Sequence, residues 1–173
     1  DTSKYRIQTT NASAAITCQF TGNGLLRVIG LQIQATKTSG LGVFSGVAAG
    51  NATRVSYCII RGFAISGTLP TFQGIVIGAI TASTDGFFFN NLILGDGNAG
   101  ANRCDGIVHN GDPGAGVTVY FENNTVILIS GSSSSIGLTQ GTTNNRVVAR
   151  NNLVKGFGNT NTYSGTFKTG TDY

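Results

Sequence analysis

Seven carboxylates stand in this chain: Asp1, Asp85, Asp96, Asp105, Asp112, Glu122 and Asp172. Three of them fall in one stretch, LGDGNAGANRCDGIVHNGDPGAG, where Asp96, Asp105 and Asp112 accompany Arg103 and the single histidine, His109. Paired acids are what hydrolysis of a glycosidic bond needs, one to protonate the leaving oxygen and one to attack or to activate water. Convergence of Asp96, Asp105 and Asp112 to within roughly 5–10 Å in a groove beside His109 would supply such a centre. Against it, Asp-Gly and Gly-Asp-Pro-Gly are turn sequences in their own right. His109 alternates with Ile107 in GIVHNG, the setting of a hydrogen-bonding histidine. A polysaccharide lyase would need several acids on neighbouring strands to hold calcium, plus a base to abstract a proton. GDGNAG precedes no helical pattern, so it is a turn and not a phosphate loop. No catalytic residue is assigned on these grounds, and no metal or cofactor is expected.

The scaffold that would carry any such site has an unusual composition. Among 173 residues there are 26 glycines, 2 prolines, no Trp and no Met, and only 10% are charged, against about 25% in ordinary globular proteins. Low charge with 40% apolar residues is the opposite of a disordered composition. Asn, Ser, Thr and Gly carry the polar surface, a palette that suits strands joined by tight turns. No stretch shows a helical period long enough for a helix. The net charge of +4 comes from 11 Lys and Arg spread from Lys4 to Lys168. A nucleic-acid footprint would be a basic stripe, so no nucleic-acid partner is expected. No apolar run is long enough for a membrane span, and no membrane partner is expected.

Cys18, Cys58 and Cys104 are odd in number and lack metal-like spacing, so buried, reduced thiols and folding in a reducing cytoplasm are expected. The sequons at Asn11, Asn51 and Asn123 carry no weight without a secretory route. A chain that begins with Asp1 is expected to be a piece of a longer one.

Three segments repeat one pattern: FFFNNLILG (87–95), FENNTVILI (121–129) and ARNNLVKGF (149–157). With the second Asn of each pair as anchor, the series is Asn91, Asn124 and Asn152, extended backwards to Cys58 and Leu31 at spacings of 27, 33, 33 and 28 residues. Three residues before the anchors stand Val28, Val55, Phe88, Phe121 and Ala149; two after stand Ile33, Ile60, Ile93, Val126 and Val154. All ten are apolar. Between anchors a second strand signal recurs at Gly42, Gly74, Gly106 and Gly137, and AAITCQF (14–20) reads as one further half-turn. A fixed period of this kind marks one supersecondary unit repeated. Each unit holds two or three short strands and no helix. Stacked units pair each strand in parallel with its copies, so like side chains form files. A file of Cys58, Asn91, Asn124 and Asn152 at an inward corner can hydrogen-bond along the stack and satisfy turn carbonyls. At about 4.8 Å per coil, five coils make a rod roughly 25 Å long.

This pattern, over about residues 14–160, resembles the right-handed parallel β-helix of the pectate-lyase-like superfamily. The resemblance implies an all-β, single-stranded solenoid of about five to six coils in one domain spanning 1–173, with terminal segments at 1–13 and 161–173. CDGIVHNGD is similar to the Asp-Gly-Ile segment of polygalacturonases, but that family's adjacent Asp pair, Gly-His-Gly and Arg-Ile-Lys are missing here. The short Asn-rich repeats and reduced cysteines look most like a module of a phage or virion structural protein. What the resemblance implies is a non-catalytic structural or adhesive module, not an enzyme, folded in a host cytoplasm and residing in the virion. Its partners are then protein subunits of the same assembly, as a homo-oligomer or larger complex, with a surface glycan as a further ligand. The alternative is a polysaccharide-binding or polysaccharide-degrading β-helix fragment, which would be extracellular.

Alternation sends the residues two and four before each anchor outward. Ile29, Phe87, Phe89, Tyr120 and Val148 then form a contiguous apolar patch, expected to pack against another subunit. Glu122 and Arg150 are expected to form an exposed pair between neighbouring coils. No capping helix is evident. Residues 4–9 are expected to cover one end, and 162–169 to begin a further strand at the other.

Overall fold

A computed structural model describes residues 6–9, 16–20, 25–36, 40–47, 52–63, 71–78, 85–96, 103–110, 116–130, 133–141, 146–157, 162–165 and 167. Among these residues there is no helix, and seventeen strands form three sheets in which every pairing is parallel. The first sheet runs β1 (Arg6–Thr9), β4 (Gln32–Thr36), β7 (Ile59–Phe63), β10 (Leu92–Asp96), β13 (Thr125–Ser130) and β16 (Leu153–Lys155). The second runs β2 (Ile16–Phe20), β5 (Gly40–Val47), β8 (Thr71–Ile77), β11 (Arg103–His109), β14 (Leu138–Gln140) and β17 (Tyr163–Ser164). The third runs β3 (Leu25–Ile29), β6 (Ala52–Ser56), β9 (Gly86–Phe89), β12 (Val119–Glu122) and β15 (Val147–Arg150). From β3 onward the chain visits third, first and second sheet in unbroken rotation, five times. No helix of the described residues is long and apolar enough to cross a membrane.

Pairing register puts equivalent residues in files. Leu92 lies beside both Ile59 and Thr125, and Phe88 beside both Val55 and Phe121. The ten apolar positions flanking the anchors point inward. Nine are buried, and Val154 packs partly covered against the same core. Gly74 and Gly106 are in matching positions on β8 and β11, and Gly137 immediately precedes β14, so these glycines also form a file. A methyl group on Gly106 would overlap the Gly137 carbonyl oxygen and Val126 Cγ1. One on Gly74 would lie 2.8 Å from the Gly106 oxygen and against Ile93. The glycine file is therefore where the second sheet presses its backbone onto the β-branched file of the first. Gly62 and Gly95, in register with Ala35, likewise make room for Phe72 and Cys104.

The turn from third to first sheet is two residues long in every cycle: 30–31, 57–58, 90–91, 123–124 and 151–152. Its first residue always has positive φ: Gly30 at 71°, Tyr57 at 56°, Asn90 at 54°, Asn123 at 54° and Asn151 at 50°. Glycine takes this left-handed conformation freely and asparagine takes it more readily than other side-chain-bearing residues. The first asparagine of each pair thus bends the chain, a role distinct from that of the second. The other connections span three to nine residues.

Candidate functional site

The acidic segment folds into β10, β11 and the connection beyond. Asp105 is buried on β11, where its carboxylate accepts hydrogen bonds from Arg103 Nε at 2.9 and 3.0 Å, Gln73 Nε2 at 3.3 Å and the Ile136 amide at 3.0 Å. Its acceptor sites are taken up by Arg103 of its own strand, Gln73 of β8 and the amide of Ile136 just before β14. His109, four residues along the same strand, is fully buried, and its Nδ1 lies 3.0 Å from Gln140 Oε1. Asp96 Oδ1 accepts from Ser130 Oγ at 2.6 Å, and Asp85 Oδ1 from the Thr118 amide at 2.7 Å. Each of these acids ties one cycle to the next. Asp112, Asp1 and Asp172 lie outside the described residues. Among the described residues no three His, Cys, Asp or Glu side chains gather as a metal site would require.

The anchor residues form one file at the corner between third and first sheets. The Asn124 amide donates to Asn152 Oδ1 at 3.0 Å, the Asn91 amide to Asn124 Oδ1 at 3.1 Å, and the Cys58 amide to Asn91 Oδ1 at 3.1 Å. The side-chain nitrogens donate in parallel, Asn91 Nδ2 to Asn124 Oδ1 and Asn124 Nδ2 to Asn152 Oδ1, both at 3.0 Å. Each Nδ2 also reaches a carbonyl of the preceding cycle: Asn91 to Val55 at 3.0 Å, Asn124 to Phe88 at 2.8 Å and Asn152 to Phe121 at 2.7 Å. Cys58 makes the equivalent contact through Sγ, 3.7 Å from the Val28 carbonyl and 3.3 Å from that of Ser56. Leu31, the first member, carries no polar side chain and closes the file.

Cys58 and Cys104 are buried free thiols. Burial, followed by the charges of Asp105 and Asp96, pushes Cys104 up to about 12, and burial raises Cys58 as well. The side chain of Cys18 lies outside the described residues.

The outward side of the third sheet is the most distinctive surface. Phe87, Phe89 and Tyr120 are half-buried and Ile29 is half exposed, while Phe88 and Phe121 between them face the core. Val148 departs from the expected patch: it is 2% exposed and therefore covered, so it offers nothing to a partner. Phe87 and Tyr120, paired across β9 and β12, stack at 5.1 Å with their planes 6° apart. Arg54, in register with Phe87, holds its guanidinium carbon 5.8 Å from that ring and 5.0 Å from Phe89. Tyr57 meets Phe89 edge to face at 5.6 Å. Glu122 and Arg150 approach to 3.9 Å at the far end of the same face, an ion contact partly exposed on both sides.

A second apolar surface is absent from the sequence reading. On the outward side of the first sheet, Ile59, Leu92 and Leu153 belong to one register file, and Leu94 and Ile127 to the next. Ile59 and Leu153 are exposed and the other three half-buried. The signal was present in LILG and VILIS, where apolar residues fill both parities of the strand. Tyr57 stands at the corner joining this aliphatic face to the aromatic one, and at 59% it is the most exposed large apolar side chain described. Compared with protein-family models, curated proteins and solved structures, the chain gives no match.

Proposed function

We propose that the three parallel sheets are the walls of a right-handed parallel β-helix of the pectate-lyase-like kind, and that it serves as a non-catalytic structural or adhesive module of a virion-type assembly. The strict rotation through three sheets, with like residues in register at every cycle, supports the winding. The virion context rests on the resemblance of the Asn-rich repeats, and the free buried thiols are compatible with folding in a reducing cytoplasm.

The observation that carries a contact role over a carbohydrate one is the Phe87–Tyr120 stack. Sugar platforms present ring faces, whereas here each ring covers the other's face and Arg54 lies over Phe87 and Phe89. The half-buried Phe87, Phe89 and Tyr120 with the exposed Ile29 make an apolar surface suited to protein packing. Phe87→Asp or Tyr120→Asp would place a charge in such a contact while leaving the inward core alone. The expected result in light scattering is a smaller assembly with an unchanged melting temperature. Unchanged mass would remove the contact role, and binding of an oligosaccharide abolished by the same substitutions would favour the carbohydrate role.

A further inference from the structure

Four of the five corners between the third and first sheets hand their backbone groups to the following cycle. The first corner residue donates its amide to a carbonyl of the next third-sheet strand: Gly30 to Ser56 at 3.1 Å, Tyr57 to Phe89 at 3.4 Å, Asn90 to Glu122 at 3.1 Å and Asn123 to Arg150 at 3.0 Å. The second corner residue donates its amide to the next anchor wherever that anchor is asparagine, as Cys58, Asn91 and Asn124 do. Its carbonyl accepts from the amide that opens the next first-sheet strand, Leu31 from Ile59, Cys58 from Leu92, Asn91 from Thr125 and Asn124 from Leu153, at 2.8–2.9 Å. The fifth corner is Asn151 and Asn152. Among the described residues no later strand of the first or third sheet receives its groups.

Beyond that corner runs β16, the last strand of the first sheet. The Leu153 amide points back to β13, where it donates to the Asn124 carbonyl. Strand alternation therefore turns the amides and carbonyls of Asn152 and Val154 the other way. Side-chain burial is an independent sign of the same opening. Ile33, Ile60, Ile93 and Val126, the earlier members of the inward file, are 0–2% exposed, whereas Val154 is only partly covered, as is Phe157. Leu153 is 58% exposed. Val148 and Ala149 on β15 are buried, so the open edge is confined to the corner and β16.

We infer that this edge accepts an extended strand of a partner polypeptide, laid parallel to β16, with an asparagine beside Asn152 and a β-branched residue two positions later beside Val154. An edge that offers a row of unpaired amides and carbonyls is a template for strand addition, in which main-chain bonds give affinity and alternate side chains give specificity. The earlier corners define what the incoming strand must carry. It needs a carbonyl for the Asn151 amide, then a short side-chain amide, then a backbone amide for the Asn152 carbonyl. Asparagine suits the second place because its Oδ1 can take both the amide and Nδ2 of the residue beside it, as Asn152 Oδ1 does from Asn124. The β-branched residue then completes the cover that Val154 lacks. No Asn-Asn pair follows Asn152 in the sequence, and the leading edge of another copy would offer Tyr5, the residue before β1, at the anchor place. The occupant is therefore a different polypeptide, one with the pattern Asn-Asn-x-Val or Asn-Asn-x-Ile. This edge is separate from the aromatic face, and the inference does not rest on the contact role of Phe87 and Tyr120.

The test is an NMR titration of the folded 173-residue chain with the acetylated peptide ENNTVIKK, which carries the sequence of residues 122–127 and two lysines for solubility. The amides of Asn151, Asn152 and Val154 should shift, and at saturation their exchange with solvent should slow by about tenfold or more. The peptide ENLTVIKK, which lacks the anchor amide, should bind about tenfold more weakly. Val154→Pro removes one outward donor and no bond to β13, and should weaken binding of the first peptide severalfold. Should that variant not fold, the exchange rates of the wild-type chain decide. Unchanged amides at the three residues, or equal binding of the two peptides, would overturn the inference. Slowed exchange at those amides on raising protein concentration without peptide would make a second copy the occupant and overturn it as well. Shifts confined to Phe87, Phe89 and Tyr120 would overturn it while leaving the contact role of their face standing.

Discussion

Asn124 Oδ1 accepts two hydrogen bonds from Asn91, one from the backbone amide at 3.1 Å and one from Nδ2 at 3.0 Å. The same Asn124 side chain donates to the Phe88 carbonyl at 2.8 Å. One amide group thus satisfies a buried donor pair on one cycle and a buried carbonyl of that same cycle, all away from water. Asn124→Leu keeps the branched shape and removes these three bonds together with the one that Nδ2 donates to Asn152 Oδ1. The expected loss is about 1–3 kcal/mol, read by urea denaturation. Asn124→Asp keeps the acceptor and, while protonated, replaces two donated bonds by one, so at acid pH it should fall between leucine and wild type. A leucine variant as stable as wild type would mean that the file contributes nothing net.

Gly106 and Gly30 separate two reasons for glycine. A Cβ on Gly106 meets a backbone oxygen and a buried valine, neither of which can swing aside. Gly106→Ala should destabilise by about 1–3 kcal/mol through overpacking. Gly30 has positive φ and nothing within 4 Å of an added Cβ. Gly30→Asn should therefore stay within about 0.5 kcal/mol of wild type, since asparagine occupies the same corner in three later cycles. Thermal melts of the two variants side by side check the contrast.

Asp105 holds Arg103, Gln73 and the Ile136 amide around a carboxylate with no exposed surface. Replacing it by Asn turns one acceptor oxygen into a donor facing donors, and a loss of about 1–3 kcal/mol is expected. Arg103 is 40% exposed, so it can return to water and the effect stays below that of a fully stranded ion. Chemical denaturation measures the loss.

Cys104 stays protonated to about pH 12 in the folded chain, against 9.0 for an unperturbed thiol. Unfolded chains release that proton first, so the folded state holds more protons between those values and stability falls as pH rises through that window. Below pH 9 the thiol has no influence on the pH dependence of stability. Cys104→Ala or Cys104→Val should flatten the alkaline limb of a melting-temperature profile relative to wild type. In the native state a thiol reagent at pH 8 should leave Cys58 and Cys104 unmodified, with both reacting once denaturant is added.

The inward files were legible because burial on both sides of a parallel stack leaves a strict signature. Positions three before and two after each anchor are apolar in every cycle, and nine of the ten are buried. The placement of Phe87, Phe89 and Tyr120 followed from the same parity. Val148 did not, because what covers it is not encoded in its own strand. The chemistry of Asp105 was equally hidden: its partners Gln73 and Ile136 are 32 and 31 residues away, brought close only by cross-strand register. The left-handed role of Asn90, Asn123 and Asn151 could have been found by noting that Gly30 occupies their slot. Tyr57 in that slot masked the rule.

The two-residue bend at one edge never changes, whereas the other two edges accept connections of three to nine residues. Variation in cycle length is thus confined to two of the three connections in each cycle, and the third is a fixed two-residue bend. Lengthening a connection costs little entropy, so foreign sequence grafted into those two connections should leave the two-residue bend untouched. A single residue inserted into the bend would instead shift the strand that follows it out of register in that cycle, because the bend has no slack.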